Sequence, residues 1–515
     1  MIAQVRGWVA RTLPAPVVRP LFNLVYGRTG AQQALKRAVG RLRLRARRTG
    51  FAAGGAAVVV AGKLLPARSV ARFSAVETIA ANRALVAGAL DAAGIAYRDE
   101  TLAGGPPTLG IEPAQLRQAV AAVARAAAGR PVYLLSGTGK TPQPVAAGAL
   151  PDGPVTVFEA LEAGGMVLAD QRYGCVLDPS SGHRRRLPWY WTVTFPIDAV
   201  YTWVDGTDPA WAGRKAEAWR QAVAEGADGG SRYSEYSAND ARFRSHDELR
   251  YSLRSLDYFA PWINHVYVVT AGQVPAWLDQ SNPRITLVHH EEIFADPGVL
   301  PTFNSHAIEA QLHRIPGLSE HFLYLNDDVF FGRHVDPELF FHGNELAKMF
   351  LSNATVDFGP GTPDDLPVDS AARQNRSLIE AAFGRTVSQK FLHVAHPERV
   401  STLARIEHEF ADQVHATTAA KFRTPQDISI PSALAHYYGY AIGASVPGEL
   451  SYRYCDISQP SAQAKLLRLL RDRSADVFCL NEVDSSGKDP EELDCMVQEF
   501  LGEYFPVPSS FEVQP

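Results

Sequence analysis

Apolar residues in the middle of the chain fall into short runs that end in polar turns, and segments with helical spacing lie between them. In one such segment Leu249, Leu253 and Leu256 form an apolar stripe, and Ser245 and Glu248 have the spacing of a capping box. Strands that alternate with helices predict an α/β fold with a doubly wound, mostly parallel sheet. The predicted strands are 197–204, 265–270, 284–289 and 322–325.

A weaker alternation occupies the first third of the chain. Helical spacing over 76–93 and again after Pro113 is combined with short strand-like runs, which predicts a smaller N-terminal α/β domain. We therefore expect a basic arm, an N-terminal α/β domain of unassigned role and a catalytic domain, with the boundaries 1–50, 51–190 and 191–515.

Composition and charge separate the arm from the rest. The 515 residues are 46% hydrophobic and 20% charged, as in folded proteins. The net charge of −5 conceals eleven Lys or Arg and no acid in residues 1–50, which leaves −16 on the other 465 residues. This distribution excludes a uniformly basic nucleic-acid coat protein, and no nucleic-acid partner is expected. The arm is expected to contact an anionic membrane surface, or else to form a solvated tail or fold over the acidic body.

Four scattered cysteines without a CxxC pair argue against a disulfide scaffold or a zinc ribbon. No apolar run approaches the roughly 18–20 residues that a membrane-spanning helix needs. A cytoplasmic protein, peripheral at the inner face of the plasma membrane, fits these features.

Acidic residues follow two of the predicted strands. Asp205 and Gly206 come after the first strand, where open α/β sheets bind ligands. Asp327 and Asp328 come after the fourth, and two adjacent carboxylates there are costly without positive charge. Oxygen ligands suit Mg²⁺ or Mn²⁺, so this pair is predicted to bind such an ion. The alternative is a polar turn.

Arginine and histidine side chains are further candidates for phosphate binding and catalysis. Arg250 and Arg254 share a helix face, which indicates either a grip on phosphates or a salt-bridged surface. His393 is a candidate general base or nucleophile, and Arg423 a candidate for neutralising a phosphoryl group. The alternative is that His393 is a structural residue and that Arg423 is a surface cation. Pro397 is expected to start a helix over 398–410.

These blocks, in this order, resemble the Stealth family, which includes bacterial capsular and exopolysaccharide hexose-1-phosphate transferases and the eukaryotic lysosomal-enzyme N-acetylglucosamine-1-phosphotransferase. The fourth block, Cys479-Leu480-Asn481, continues with Glu482 where the family often has Asp, and Asp484 follows closely. Another departure is Arg244-Ser245-His246. The segments that carry the resemblance are 197–208, 247–256, 260–278, 300–317, 322–332, 391–427 and 479–481.

The resemblance implies transfer of a sugar-1-phosphate from a nucleotide sugar, such as a UDP-hexose or UDP-N-acetylhexosamine, to a glycan hydroxyl in exopolysaccharide or capsule synthesis. His393 would be the base or nucleophile, Arg423 the phosphate clamp, and Asp327 and Asp328 the metal ligands. The remaining candidates, Asp205, Gly206, Arg250 and Arg254, would bind the nucleotide sugar and its phosphates. The alternatives are an ordinary glycosyltransferase that releases UDP and a non-catalytic glycan-binding scaffold.

Overall fold

The computed structural model describes most of the chain after the arm. The predicted basic arm and Asp484 lie outside the described residues, so the expectations attached to them stay predictions. The described ranges are 56–60, 63–101, 105–136, 142–146, 153–163, 166–167, 171–179, 190–226, 243–359, 365–482 and 490–513.

The N-terminal part combines two sheets with two helices. The helix predicted over 76–93 is observed within one residue, and the turn that Pro113 begins leads into the second helix. The helices are α1 (Ala75–Ala92) and α2 (Leu116–Ala126). The strands are β1 (Ala56–Val60), β2 (Lys63–Ser69), β3 (Tyr97–Asp99), β4 (Thr108–Ile111), β5 (Val132–Ser136), β6 (Gln143–Pro144), β7 (Val155–Glu159), β8 (Leu161–Ala163), β9 (Met166–Val167) and β10 (Cys175–Asp178). One sheet has the order β1-β2-β8-β9 and the other β3-β4-β10-β7-β5-β6.

The rest of the chain is built around a central five-stranded sheet. Its strands, together with those of three smaller sheets, are β11 (Ile197–Thr202), β12 (Val266–Thr270), β13 (Ile285–His289), β14 (His321–Asn326), β15 (Val329–Phe331), β16 (Ala347–Met349), β17 (Leu351–Thr355), β18 (Gln389–Phe391), β19 (His396–Arg399), β20 (Ser445–Pro447), β21 (Tyr452–Asp456) and β22 (Val477–Asn481). The helices are α3 (Pro209–Gly226), α4 (Glu248–Phe259), α5 (His290–Ile293), α6 (Ser305–Glu309), α7 (Pro367–Phe383), α8 (Val400–Glu409), α9 (Ala411–Ala419), α10 (Ala435–Ile442), α11 (Ala462–Asp472) and α12 (Pro490–Tyr504).

The central sheet has the order β13-β12-β11-β14-β19. The first four strands in that order run parallel, and β19 pairs antiparallel with β14. The chain therefore steps outward from β11 to β13 and then returns to the other side of β11 as β14. This reversal creates a switch point between β11 and β14, where Thr202 lies beside Asn326.

Successive residues of the central strands point to opposite faces, and both faces are buried. Tyr201 and Leu325 pack with the apolar stripe of α4 on one face. Val200 and Tyr324 pack on the other face, against residues of α6, α8 and α9. Burial on both sides explains why these strands are almost continuously apolar in sequence. The predicted class, a doubly wound and mostly parallel sheet with helices, is confirmed.

Two local predictions are wrong. The capping box does not start a helix at Ser245: α4 begins at Glu248, and its N-cap is Asp247 in a left-handed conformation with φ of 68°. The Glu248 carboxylate instead accepts from the backbone N–H of His246. Pro397 does not start the predicted helix either, because it lies inside β19, an edge strand where the missing N–H of proline is tolerated. The helix predicted over 398–410 is observed as α8, which begins two residues later than predicted.

The N-terminal sheets share no strand with the later sheets in the described ranges, but the two parts pack together. Phe73 and Tyr173 contact Tyr258 of α4 in an apolar cluster. Beside it the fully buried Asp257 accepts from Ser74 and from both the N–H and the hydroxyl of Ser510. One carboxylate thus joins the N-terminal part, α4 and the C-terminal segment. The domain boundaries themselves stay predictions.

Candidate active site

The candidate site lies at the carboxyl edge of the central sheet, beside the switch point. The loop that contains Asp205 leaves β11 there, and the turn that contains Asp327 and Asp328 leaves the neighbouring β14. Open α/β sheets bind ligands in the crevice at such a point, because the connections diverge to opposite sides of the sheet. The sequence prediction that both acidic groups lie at one sheet edge is consistent with this topology.

Asp328 lies at the centre of a hydrogen-bond network. Its Oδ1 is 3.1 Å from Nε2 of His393. Its Oδ2 accepts from the thiol of Cys479 at 3.3 Å and from the side-chain amide of Asn481 at 3.2 Å. Burial opposes the charged form of Asp328, but His393 and these donors outweigh it and lower its pKa. Asp328 is therefore a carboxylate with both oxygens engaged.

His393 lies between β18 and β19, and its side chain is 34% exposed, so a substrate can reach it. Its Nε2 is also 3.3 Å from Nδ2 of Asn326, the last residue of β14. Burial disfavours the imidazolium, but Asp328 favours it more strongly and the net effect is a raised pKa. An imidazole oriented by a carboxylate in this way can accept a proton or attack an electrophile.

Asp327 has a different environment from its neighbour. Burial and the charges of Glu248 and Asp328 raise its pKa well above the usual range. Glu248, which is 6% exposed, also has a raised pKa, because burial and Asp328 outweigh the opposing charge of His246 and the backbone hydrogen bonds. The three carboxylates repel one another, with partial compensation of Glu248 by His246 and of Asp328 by His393, and a hard divalent ion would compensate the charge that remains. Their role as metal ligands stays a prediction. Glu248 was missed in the sequence because its spacing from Ser245 also fits a helix cap.

One group of three potential metal ligands occurs among the described residues: Asp328, His393 and Cys479, with ligand atoms within 4.8 Å of one another. Burial and the nearby Asp328 raise the pKa of the Cys479 thiol well above its ordinary value. A protonated thiol donates to Asp328 and is a poor ligand for Mg²⁺ or Mn²⁺. Carboxylate oxygens such as those of Asp327 and Glu248 suit such an ion better chemically, although these two belong to no group of three close ligands among the described residues.

Arg423 follows α9 and reaches the same region from the other side. Its Nη2 donates to the hydroxyl of Ser305 at the start of α6. Burial lowers its pKa, while Glu309 and Asp427 oppose that effect. The positive charge of Arg423 in turn acts on His393 and disfavours its imidazolium form. The charge of one candidate catalytic residue thus acts on the other, although they lie 30 positions apart in sequence.

Asp205 and Gly206 form a tight turn at the end of β11. Oδ1 of Asp205 accepts from the N–H of Thr207 at 2.9 Å and from its hydroxyl. A Cβ atom on Gly206 would lie 2.2 Å from the carbonyl oxygen of Phe243, to which Gly206 donates at 3.0 Å. Gly206 is therefore required because the backbone of Phe243 approaches it too closely for any side chain. A role for Asp205 or Gly206 in nucleotide binding stays a prediction.

Arg250 and Arg254 face the C-terminal segment. Arg254 is 6% exposed, and its guanidinium donates to both carboxylate oxygens of Glu512 and to the carbonyl of Phe505. Arg250 donates to Glu512 and Asp247. The two arginines are therefore paired with acids, as in the salt-bridged alternative that the sequence left open, and a grip on the diphosphate stays a prediction.

The two departures in the family motif lie in contact. Glu482 accepts from Arg244 at 2.9 Å, and its other oxygen is 2.9 Å from Nε2 of His246. Although burial acts in the other direction, Glu482, Glu248 and Asp494 raise the pKa of His246 to about 9, so its imidazolium is charged at neutral pH. Glu482 is thus compensated by Arg244 and His246.

Comparison with models of known protein families shows which family the chain resembles. Stealth conserved regions 1, 2, 3 and 4 match residues 195–218, 242–349, 392–440 and 468–515. The chain belongs to the Stealth family. Asp327, Asp328 and Glu248 lie in region 2, and His393 and Arg423 in region 3. Cys479 and Asn481, which donate to Asp328, lie in region 4, and Asp205 lies in region 1, so all four family regions contribute to the candidate site.

The curated relatives include Exopolysaccharide phosphotransferase SCO6023 of Streptomyces coelicolor, 49% identical over 62% of this chain and 53% of the relative. Exopolysaccharide phosphotransferase CpsY of Mycobacterium tuberculosis is 38% identical over 62% of this chain and 58% of the relative. The chain spans about half the length of these relatives. The galactosyltransferase LgtC aligns over 59% of this chain and 95% of its own, with 13% identity and a TM-score of 0.29, which is too low to support an argument.

Proposed function

We propose that the chain transfers a sugar-1-phosphate from a nucleotide sugar to a hydroxyl group of a glycan, with a phosphodiester in an exopolysaccharide or capsule as the product. The observation that carries the proposal is His393, in hydrogen-bond contact with Asp328 and Asn326 at the switch point of the sheet. The names of the Stealth relatives support phosphotransfer in exopolysaccharide synthesis.

In this proposal the acceptor hydroxyl oxygen attacks the phosphorus next to the sugar. The bond from that phosphorus to the nucleotide oxygen breaks, and the nucleoside monophosphate leaves. His393 takes the hydroxyl proton, or attacks phosphorus first and then yields the phosphoryl group to the acceptor. Arg423 binds the phosphoryl oxygens as their charge redistributes. The anomeric carbon does not react, so its configuration is retained.

Asp327 and Glu248 would hold Mg²⁺ or Mn²⁺, with Asp328 beside them. When bound, such an ion neutralises the diphosphate of the donor. Asp328 is already engaged by His393, Cys479 and Asn481, so we assign it mainly to the orientation of His393. Asp205 is proposed to contact the nucleotide or the acceptor from the neighbouring strand end.

The leaving group tests the proposal directly. The purified chain, supplied with UDP-hexoses or UDP-N-acetylhexosamines, Mn²⁺ and an oligosaccharide acceptor, is expected to release UMP. The product is expected to give the ³¹P NMR signal of a phosphodiester. Release of UDP would instead support an ordinary glycosyltransferase. Absence of any nucleotide-sugar consumption would support a glycan-binding scaffold.

We further propose that the protein acts in the cytoplasm at the inner face of the plasma membrane, through the eleven basic residues of 1–50. No helix within the described ranges is long and apolar enough to cross a membrane. Each basic residue near an anionic surface contributes about 1 kcal/mol of attraction. Deletion of 1–50 is expected to abolish co-sedimentation with phosphatidylserine vesicles and to leave turnover of a soluble acceptor unchanged. Equal co-sedimentation of both forms would refute the membrane role.

A further inference from the structure

His246 lies in the loop before α4, and both nitrogens of its ring contact carboxylates. Its Nε2 is 2.9 Å from Oε2 of Glu482, which directly follows β22, and its Nδ1 contacts Oδ1 of Asp494 on α12. The side chain of His246 is 1% exposed, so water has little access to either contact. An ionised carboxylate only accepts hydrogen bonds, so both ring nitrogens donate and the ring is an imidazolium. His246 thus joins three segments of the chain by charged hydrogen bonds.

Glu482 fixes the end of β22 next to the candidate site. Its Oε1 accepts from Nη1 of Arg244 at 2.9 Å, so the loop before α4 supplies a second cation to the same carboxylate. Asn481, the last residue of β22, donates its side-chain amide to Oδ2 of Asp328 at 3.2 Å. Oδ1 of Asp328 is the atom that contacts His393. Hydrogen bonds and one peptide linkage therefore connect this ion pair to the candidate catalytic histidine.

The backbone of His246 also holds the candidate metal ligand Glu248. The N–H of His246 donates to Oε2 of Glu248. Asp247, between them, has a φ of 68°, a left-handed conformation that residues with side chains seldom adopt unless surrounding contacts hold it. The contacts of the His246 ring with Glu482 and Asp494 anchor the first residue of this turn. The ring therefore helps to place the carboxylate of Glu248.

We propose that His246 is a positioning residue that, through Glu482, clamps the start of α4 to the end of β22. This clamp, which joins conserved regions 2 and 4, fixes the carboxylates of Asp328 and Glu248 in the candidate site. The inference rests on the proposed function, in which Asp328 orients His393 and Glu248 is a metal ligand. Groups that are in place before the donor binds need less reorganisation in the transition state. Both ring nitrogens are engaged, so His246 itself takes no part in proton transfer.

Catalysis tests the clamp with His246→Gln and Glu482→Gln. Each substitution is expected to lower kcat for consumption of the nucleotide sugar by about 10²-fold and to change the donor KM by less than about threefold, because misplacement acts mainly in the transition state. The double variant is expected to be no slower than the slower single variant, since the two residues act as a unit. Glu482→Asp keeps the charge and is expected to retain more activity than Glu482→Gln. The matched control His408→Gln, at an exposed histidine on α8, is expected to behave like wild type.

Urea unfolding in EDTA, without substrate, tests the ion pair itself. His246→Gln is expected to lower the unfolding midpoint of the wild type, and to lower it much less in a Glu482→Gln background, because the charge that it unpairs is absent there. Asp494→Ala provides a milder variant, since this carboxylate is 45% exposed and its loss leaves more of the fold intact. It is expected to lower kcat by about tenfold.

Additive effects of His246→Gln and Glu482→Gln on the unfolding midpoint would overturn the clamp. A wild-type kcat in Asp494→Ala, or in a destabilised His246→Gln protein that is fully folded by circular dichroism, would overturn it too, because a merely structural pair gives that result. Consumption of the donor is measured whether UMP or UDP leaves. Release of UDP by the wild type would therefore overturn only the proposed reaction.

Discussion

Replacing His393 with alanine is expected to lower sugar-1-phosphate transfer by about 10²–10⁴-fold, the range that a lost general base gives. The side chain is partly exposed beside Asp328, so its removal leaves no cavity in a packed core. Folding should therefore be kept while the proton acceptor or nucleophile is lost. Rates of UMP release under saturating donor and acceptor, with circular dichroism spectra of both proteins, provide the measurement.

His415, an exposed histidine on α9, provides the matched control for this experiment. His415→Ala is expected to transfer at the wild-type rate. A β-³²P-labelled donor distinguishes the two roles left open for His393: a labelled protein that loses its label in acid indicates a phosphohistidine, and an unlabelled, active protein indicates a general base. Full activity of a folded His393→Ala protein would remove His393 from the mechanism.

The sheet could be predicted because its strands are buried on both faces. The runs at 197–204, 265–270, 284–289 and 322–325 match β11, β12, β13 and β14 to within two residues at either end. β19 could not be found in this way, because it is a short edge strand that includes Pro397 and glutamate. Its identity depends on pairing with β14, more than 70 residues earlier in the chain.

Part of the candidate site could be predicted because acidic residues directly follow the predicted strands. Acids at strand ends indicate a sheet edge, and Asp328 and His393 lie in hydrogen-bond contact there. The roles that the family resemblance implies for Asp327, Asp328 and His393 stay predictions. The partners of Arg250 and Arg254 could not be foreseen, because Glu512 is 258 or more positions away in sequence. Glu248 was hidden for another reason: an S-x-x-E spacing fits a helix cap and an active-site acid equally well.

Replacing Asp327 with asparagine is expected to abolish metal-dependent transfer and, at the same time, to stabilise the metal-free protein. Burial, Glu248 and Asp328 raise the pKa of Asp327 well above its usual range, so its ionisation opposes folding. The stability of the metal-free wild type should therefore fall as pH rises through that raised pKa. Asparagine has nearly the same shape but cannot ionise, so Asp327→Asn should not lose stability in this way as the pH rises.

Mn²⁺ should reverse the order of stability, so that the wild type becomes more stable than Asp327→Asn. At 100 times its Kd, an ion that binds only the folded wild type adds about 2.7 kcal/mol to the free energy of unfolding. Asp327→Asn is expected to lose most of that gain. Urea unfolding at pH 7.5, with EDTA and with Mn²⁺, measures both effects.

Asp328→Asn is the informative control for Asp327→Asn, because the pKa of Asp328 is lowered by His393, Cys479 and Asn481. The charge of Asp328 therefore stabilises the fold, and its removal should destabilise the metal-free protein. Asp327→Asn and Asp328→Asn are thus expected to change the stability of the metal-free protein in opposite directions. If both destabilise the protein in EDTA, and Mn²⁺ protects both as well as it protects wild type, the crowded carboxylates Asp327 and Glu248 are not the metal site.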